Sequence, residues 1–205
     1  MSRGSSKPET PKGGSDAAPP PQGDAIIDTS AILTEPGLML LRAWDRWRSA
    51  ALLPSRADMR LEHISALLAN VSLLEVRGPD EAVVRLAGTR ICEIFGQELK
   101  GTNYLDLVPP EVRLLRAQRL QYMIHQPCGA ILHGTYSARS GMAFRVEQVA
   151  LPIRPVASNA APQLISVAAL LPGQPRPTNV PESELGRLPE TFRFLDVGAG
   201  LPNAD

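Results

Sequence analysis

The sequence predicts an α+β domain: a single antiparallel sheet of about five strands with helices on one side, preceded by an amphipathic helix. Three observations predict it. Apolar residues recur at helical spacing in an early and in a central segment; five short strand-like runs lie in two groups; and the helical pieces sit between those groups, so one sheet is the economical packing.

Composition sets the outer bounds. With 205 residues, 43% of them hydrophobic, the chain can bury one ordinary core but hardly two full domains. Residues 1–34 are rich in Ser, Gly, Pro and Lys, and Ile26, Ile27, Ile32 and Leu33 are their sizeable apolar residues. That is too little to offset the entropy of ordering, so this extension is expected to be disordered. It carries no apolar stretch behind its early basic residues, and no run reaches the ~18 apolar residues of a membrane span, so a cytoplasmic protein without membrane insertion is expected. Lys plus Arg and Asp plus Glu number 21 each, which leaves no basic field for a nucleic acid. Cys92 and Cys128 form no C-x-x-C pair, so neither a zinc knuckle nor a redox dithiol is signalled.

From Pro36 to Ala51, residues Leu40, Trp44, Trp47 and Ala51 share one helical face, with Arg42, Asp45, Arg46 and Ser49 on the rest. The two tryptophans suit either the domain's own core or a partner surface, and as a partner surface they would mediate a homodimer. Pro54 breaks this helix, and Leu61 to Asn70 reads as a second, shorter one. Val71 to Gly78 and Ala82 to Gly88 then form a hairpin across a turn containing Gly78, Pro79 and Asp80. Thr89 is a plausible N-cap for a helix that ends at Gly96, and Pro109 and Pro110 stop the next short piece. A longer helix runs from Pro110 to about Gln126. Three strands, Ala130 to Arg139, Ala143 to Ile153 and Gln163 to Leu171, close a domain spanning 35–171, and 172–205 is a Pro/Gly-rich arm.

Several motifs arrive in a recognisable order: Trp44 and Trp47; "LPSRAD" at Leu53 to Asp58; Arg85, Gly88 and Thr89 as R-x-x-G-T; and Phe95, Gly96, Glu98, Leu99 and Gly101 as FG-x-E-L-x-G. Over about Leu38 to Leu171 the chain resembles the bacterial single-domain PAS family. The resemblance implies a PAS-like sheet and a regulatory module whose partner is a signalling protein such as a sensor kinase. Gly88 and Gly96 read as turn glycines, because this stretch lacks the spacing of a phosphate-binding loop.

The cofactors of PAS relatives leave a poorer match. Flavin-binding photosensory relatives carry G-x-N-C, whereas this chain has "GTNY" with Tyr104 in place of the reactive thiol. Haem-binding relatives use a histidine on the helix before the third strand, and His125 lies at the end of that helix as a lone imidazole. His63 and His133 have no partner at metal-ligand spacing and read as ordinary surface or sheet residues. No cofactor and no metal is therefore expected.

Two further patterns invite chemistry. Arg113, Arg116 and Arg119 make a slanted basic row on the long helix; it can serve an anionic ligand or an acidic partner, or be a solvated face, which is the commoner case. "LDVGAG" at Leu195 to Gly200 looks like the first motif of S-adenosylmethionine methyltransferases, but only Leu201 to Asp205 follow it in this sequence. An extended arm with Phe192, Phe194 and Val197 on one side, docking on a sheet edge or a partner, is the better reading.

These readings together predict binding rather than catalysis. A partner or small apolar ligand would shift the packing between sheet and helices, and the module would act in trans. A ligand-free docking adaptor is the first rival. An enzyme is the second, although no nucleophile, base and orienter set is visible.

Overall fold

In a computed structural model of the chain, the described residues are 29, 31–32, 34–138, 143–174, 183–184 and 190–203. Most of the segment expected to be disordered lies outside them, but Ile32 is buried in the core and Thr34 caps the first helix. That helix, α1 (Glu35–Arg48), has Pro36 in its first turn, where a missing N–H costs nothing. The hairpin follows as β1 (Val71–Gly78) and β2 (Glu81–Ala87). Next come α2 (Thr89–Phe95) and α3 (Pro110–His125), then β3 (Gly129–Ala138), β4 (Ala143–Ile153) and β5 (Gln163–Leu170). Two more strands, β6 (Ser183–Glu184) and β7 (Thr191–Leu195), come from the C-terminal arm.

All pairings between the named strands are antiparallel, and the strand order is β2-β1-β5-β4-β3, with β6 and β7 both on the free edge of β3. The sheet therefore has seven strands among the described residues, against the five expected. Helices α2 and α3, between the two strand groups, share one face as expected, and the preceding helix α1 covers the other. Val71, Leu73, Val149, Leu151, Ile165 and Val167 pack with α1 in one core cluster, while Leu74, Val76, Ala130 and Leu164 pack with residues of α2 and α3 in another. The cause is visible in "VSLLEV" and "QLISVAAL", whose adjacent apolar residues point to opposite faces and require cover on both.

Trp44 and Trp47 lie inside this chain's own core. Trp44 is completely buried and donates its Nε1–H to the Pro152 carbonyl at 2.7 Å; Trp47 donates to His63 Nδ1 at 3.0 Å. Neither indole presents the open partner surface considered above, because α1 covers the second apolar face of its own sheet. The outer face of α1 carries Arg42, Asp45 and Arg46.

Other local expectations shift in detail. Leu61–Asn70 is 3-10 rather than α-helical, kinked at Ile64 (φ −129°, ψ 21°). Thr89 is the first residue of α2, whose N-cap is Gly88 without a side-chain cap bond. Gly88 has an ordinary φ of −69°, but a Cβ there would stand 2.2 Å from the Leu68 carbonyl oxygen. Close approach, not left-handedness, requires glycine at that point. Gly96 does end α2 in the left-handed region, at φ 65°.

Candidate functional site

The site lies beneath α3, where its arginine row meets the sheet and the C-terminal arm. Arg113 donates to the Leu105 carbonyl at 2.8 Å and to Asp106 Oδ1 at 2.7 Å, tying α3 to the 3-10 turn Tyr104–Asp106. One helical turn on, Arg116 is buried and donates to the Tyr104 hydroxyl oxygen at 3.0 Å and to Glu190. Arg119 donates to the other oxygen of Glu190, and its guanidinium carbon sits 3.9 Å from the centroid of the Phe192 ring. The row is thus engaged within the chain. One carboxylate bridges two guanidinium groups, and the Nε of Arg116 is buried without a hydrogen-bond partner.

Charge is held there against burial. Desolvation works to discharge Arg116, but the Tyr104 and Glu190 oxygens more than offset it and its pKa is raised. The group stays a cation. Two positive charges facing one negative leave a local excess of one beside an apolar space.

That space comprises two adjoining cavities between the sheet and the helices, each of about 50 Å3. The first is lined by Arg116, Leu120, Met123, Leu164 and Phe192. The second runs on toward α2, between Ile91, Phe95, Tyr136 and Val146. Leu74, Tyr104 and Gln148 belong to the walls of both. Polar groups are few: Gln148 Nε2 donates to Ser166 Oγ at 3.4 Å, and Ser166 and Ser72 share a hydroxyl hydrogen bond of 2.6 Å. Apolar walls with a few placed polar groups are the chemistry of a small-molecule site, here in spaces well below the roughly 300 Å3 at which such sites usually begin, so a ligand would have to be small or widen them.

The arm contributes Phe192 to the wall of the first cavity. Phe192 and Phe194 meet edge to face at 4.9 Å, and Phe194 meets Tyr122 of α3 at 6.0 Å. They project from β7, which pairs Ala130 with Phe194 and Leu132 with Phe192. Val197 is buried on the opposite side with α1, so it does not share the face of the two phenylalanines. In "LDVGAG", the Asp196 carboxylate accepts the N–H groups of Gly198 at 2.7 Å and Gly200 at 3.0 Å. The motif closes a turn that Gln126, just past α3, grips through the Ala199 carbonyl at 3.1 Å.

The remaining motif residues build the frame. Arg85 lies 3.7 Å from Glu75 across the hairpin. Gly101, at φ 88°, donates its N–H to the Val84 carbonyl at 2.8 Å. Asn103 of "GTNY" accepts the N–H groups of Ala82 and Leu105, at 3.0 and 3.2 Å, and donates to the Asp80 carbonyl at 2.9 Å. In "LPSRAD", Ser55 and Asp58 form a capping box.

His125 is exposed at the end of α3 and lines neither cavity. His133 and His63 are more specific than ordinary surface residues: His133 Nε2 lies 3.0 Å from Glu147, and His63 stacks on Trp47. Burial raises the pKa of both Cys92 and Cys128, the latter up to about 12. Among the described residues no group of His, Cys, Asp and Glu could hold a metal ion, and no helix is long and apolar enough to cross a membrane.

Sequence reasoning missed Glu190, Gln148 and the placement of Tyr104. Gln148 carried a signal, as a polar residue inside the apolar run "VEQVALPI". Glu190 carried none, because its role depends on where β7 docks.

No curated protein matches the chain. Among solved structures it is similar to the light state of the blue-light photoreceptor Aureochrome1 LOV, at 14% identity over 55% of this chain and 89% of that one, with a TM-score of 0.39. It is also similar to the PAS domain of an HTR-like protein from Haloarcula marismortui, at 16% identity over 57% and 98% of the two chains, with a TM-score of 0.35. The family model described as "PAS domain" matches residues 34–166, from the cap of α1 into β5, and the chain therefore belongs to the PAS domain family of sensory and signalling modules.

Proposed function

We propose that the chain is a cytoplasmic regulatory module that acts in trans on a signalling protein such as a sensor kinase, gated by a small and largely apolar ligand. The observation that carries this reading is the pair of adjoining apolar cavities under α3, walled by the sheet and, in the first, by Phe192 of the arm. A ligand there contacts the sheet, α3 and β7 together. It therefore shifts their relative packing to the extent that it binds one arrangement better than another. A homodimer belongs to the same proposal, with any contact through α1 using its charged outer face rather than the buried indoles. Binding rather than catalysis is part of this reading, supported by thiols whose pKa burial raises and by Arg116 and Arg119 being paired with Glu190.

Native mass spectrometry of the purified full chain, followed by solvent extraction, tests the reading. A bound small apolar molecule is the expected result. A chain that is empty as purified and gains no thermal stability from any small apolar compound would overturn it. That outcome would favour a ligand-free docking adaptor, a reading supported by Leu114, which is 69% exposed on α3.

A further inference from the structure

We propose that the Arg116–Arg119 pair is a binding site for the carboxylate of a short-chain aliphatic acid, and that Glu190 occupies it as an internal stand-in. The proposal rests on the cavity reading above and adds the chemical class of the ligand.

The two guanidinium groups already hold a carboxylate, one oxygen each. They do so beside an apolar cavity whose lining includes both arginines. Such a pair recognises a carboxylate by shape as well as charge. A linear acid would place its head where Glu190 sits and run its tail past Leu120, Met123 and Leu164. Beyond Leu74, Tyr104 and Gln148 the second cavity continues the path. The unpartnered Arg116 Nε offers the head group a donor that Glu190 leaves unused.

Displacement has a mechanical consequence. Glu190 immediately precedes β7, and Phe192 stacks on Arg119. An acid that takes the arginines removes the Glu190 anchor from the start of β7 and loosens that end of the strand from the edge of β3. Ligand binding is thereby linked to exposure of that edge, with the sign set by competition: acid bound, strand released.

The test titrates sodium hexanoate and 1-hexanol into the full chain and into Glu190→Gln, which keeps the shape and removes the competing charge. Hexanoate should bind Glu190→Gln about tenfold more tightly than the wild type, an equilibrium change within reach of one lost charge pair, while 1-hexanol binds both alike. Arg119→Gln, at the less buried guanidinium, should weaken hexanoate and leave 1-hexanol unchanged; near-ultraviolet circular dichroism checks that each variant is folded. Hydrogen exchange of the β7 amides in the wild type should accelerate when hexanoate is saturating. Equal tightening of hexanoate and 1-hexanol would overturn the carboxylate site and leave the cavity reading standing, as would binding of 1-hexanol alone. Binding of neither compound to either protein would count against both readings. Hexanoate binding with unchanged β7 exchange would overturn the displacement of Glu190.

Discussion

The backbone N–H of Thr34 donates to the side chain of Glu147 at 3.2 Å, so the residue that caps the first helix is itself held by a carboxyl from the middle of the sheet. The Thr34 hydroxyl donates to the same oxygen, and His133 Nε2 lies 3.0 Å from the other. Glu147 is 1% exposed, so its carboxyl oxygens are satisfied by these neighbours and not by water. Replacement by alanine should destabilise the domain by about 3–5 kcal/mol in urea unfolding, because it orphans several donors at about 1–3 kcal/mol each. Thr34→Val should cost only about 1 kcal/mol, the ordinary worth of a cap. Equal losses would show that Glu147 does not act as the hub.

Trp44→Ala should cost about 3–5 kcal/mol, the usual range for a buried aromatic, and should lower the midpoint of the whole unfolding transition. Trp44→Phe keeps most of the packing and loses the bond to the Pro152 carbonyl, for which about 1 kcal/mol is expected. If Trp44→Ala instead changed only self-association and left the unfolding midpoint in place, the packing of α1 on its own sheet would be refuted.

Glycine substitutions separate crowding from conformational freedom. A Cβ at Gly88 would meet the Leu68 and Ala69 carbonyl oxygens at 2.2 and 2.4 Å, both backbone atoms. Gly88→Ala should therefore destabilise by about 1–3 kcal/mol, the scale of overpacking. At Gly78 a Cβ would meet nothing within 4 Å, and Gly78→Ala should stay within about 0.5 kcal/mol of the wild type.

Acid should weaken the hairpin through Glu75. The hydrogen bond from Arg77 at 2.8 Å lowers its pKa, working against partial burial and assisted by the charge of Arg85. A carboxyl whose pKa is lower in the folded state contributes stability above its unfolded value, about 4.3. That contribution is lost as pH falls through the folded value. The stability difference between wild type and Glu75→Gln should thus be constant near neutrality and shrink below about pH 4.3. A difference that grows on acidification has the wrong sign and refutes the assignment.

Thiol reactivity should rank by burial. Cys128 is completely buried with its pKa pushed up to about 12, so at pH 8 it offers neither access nor thiolate. Cys92 is partly exposed, and burial again raises its pKa. A disulfide reagent at pH 8 should label Cys92 slowly and Cys128 only on unfolding. Rapid labelling of Cys128 in the native state would contradict its position.

Periodicity alone located the hairpin, the three later strands and the helix from Pro110, because helix and strand place apolar residues at different intervals and Pro and Gly end each run. The order of those elements, together with the R-x-x-G-T and FG-x-E-L-x-G segments, was enough to identify the PAS resemblance that the match over residues 34–166 shows as family membership. Local sequence also located the arginine row and the period-two alternation of Phe192 and Phe194.

Tertiary structure decided what those patterns meet. Trp44 and Trp47 suit a core or a partner equally well as a stripe on a helix; the choice was made by the second apolar face of the sheet, whose residues lie more than twenty positions away in sequence. Arg116 and Arg119 face Glu190 across 74 and 71 residues, a separation at which no spacing rule pairs charges. "LDVGAG" has the local form of a cofactor turn, yet its function here is to anchor an edge strand, because the rest of the chain surrounds it with α3 rather than a parallel sheet. Periodicity reports which face of an element is apolar. Only the packed chain determines what covers that face, since burial is a property of neighbours and not of residues.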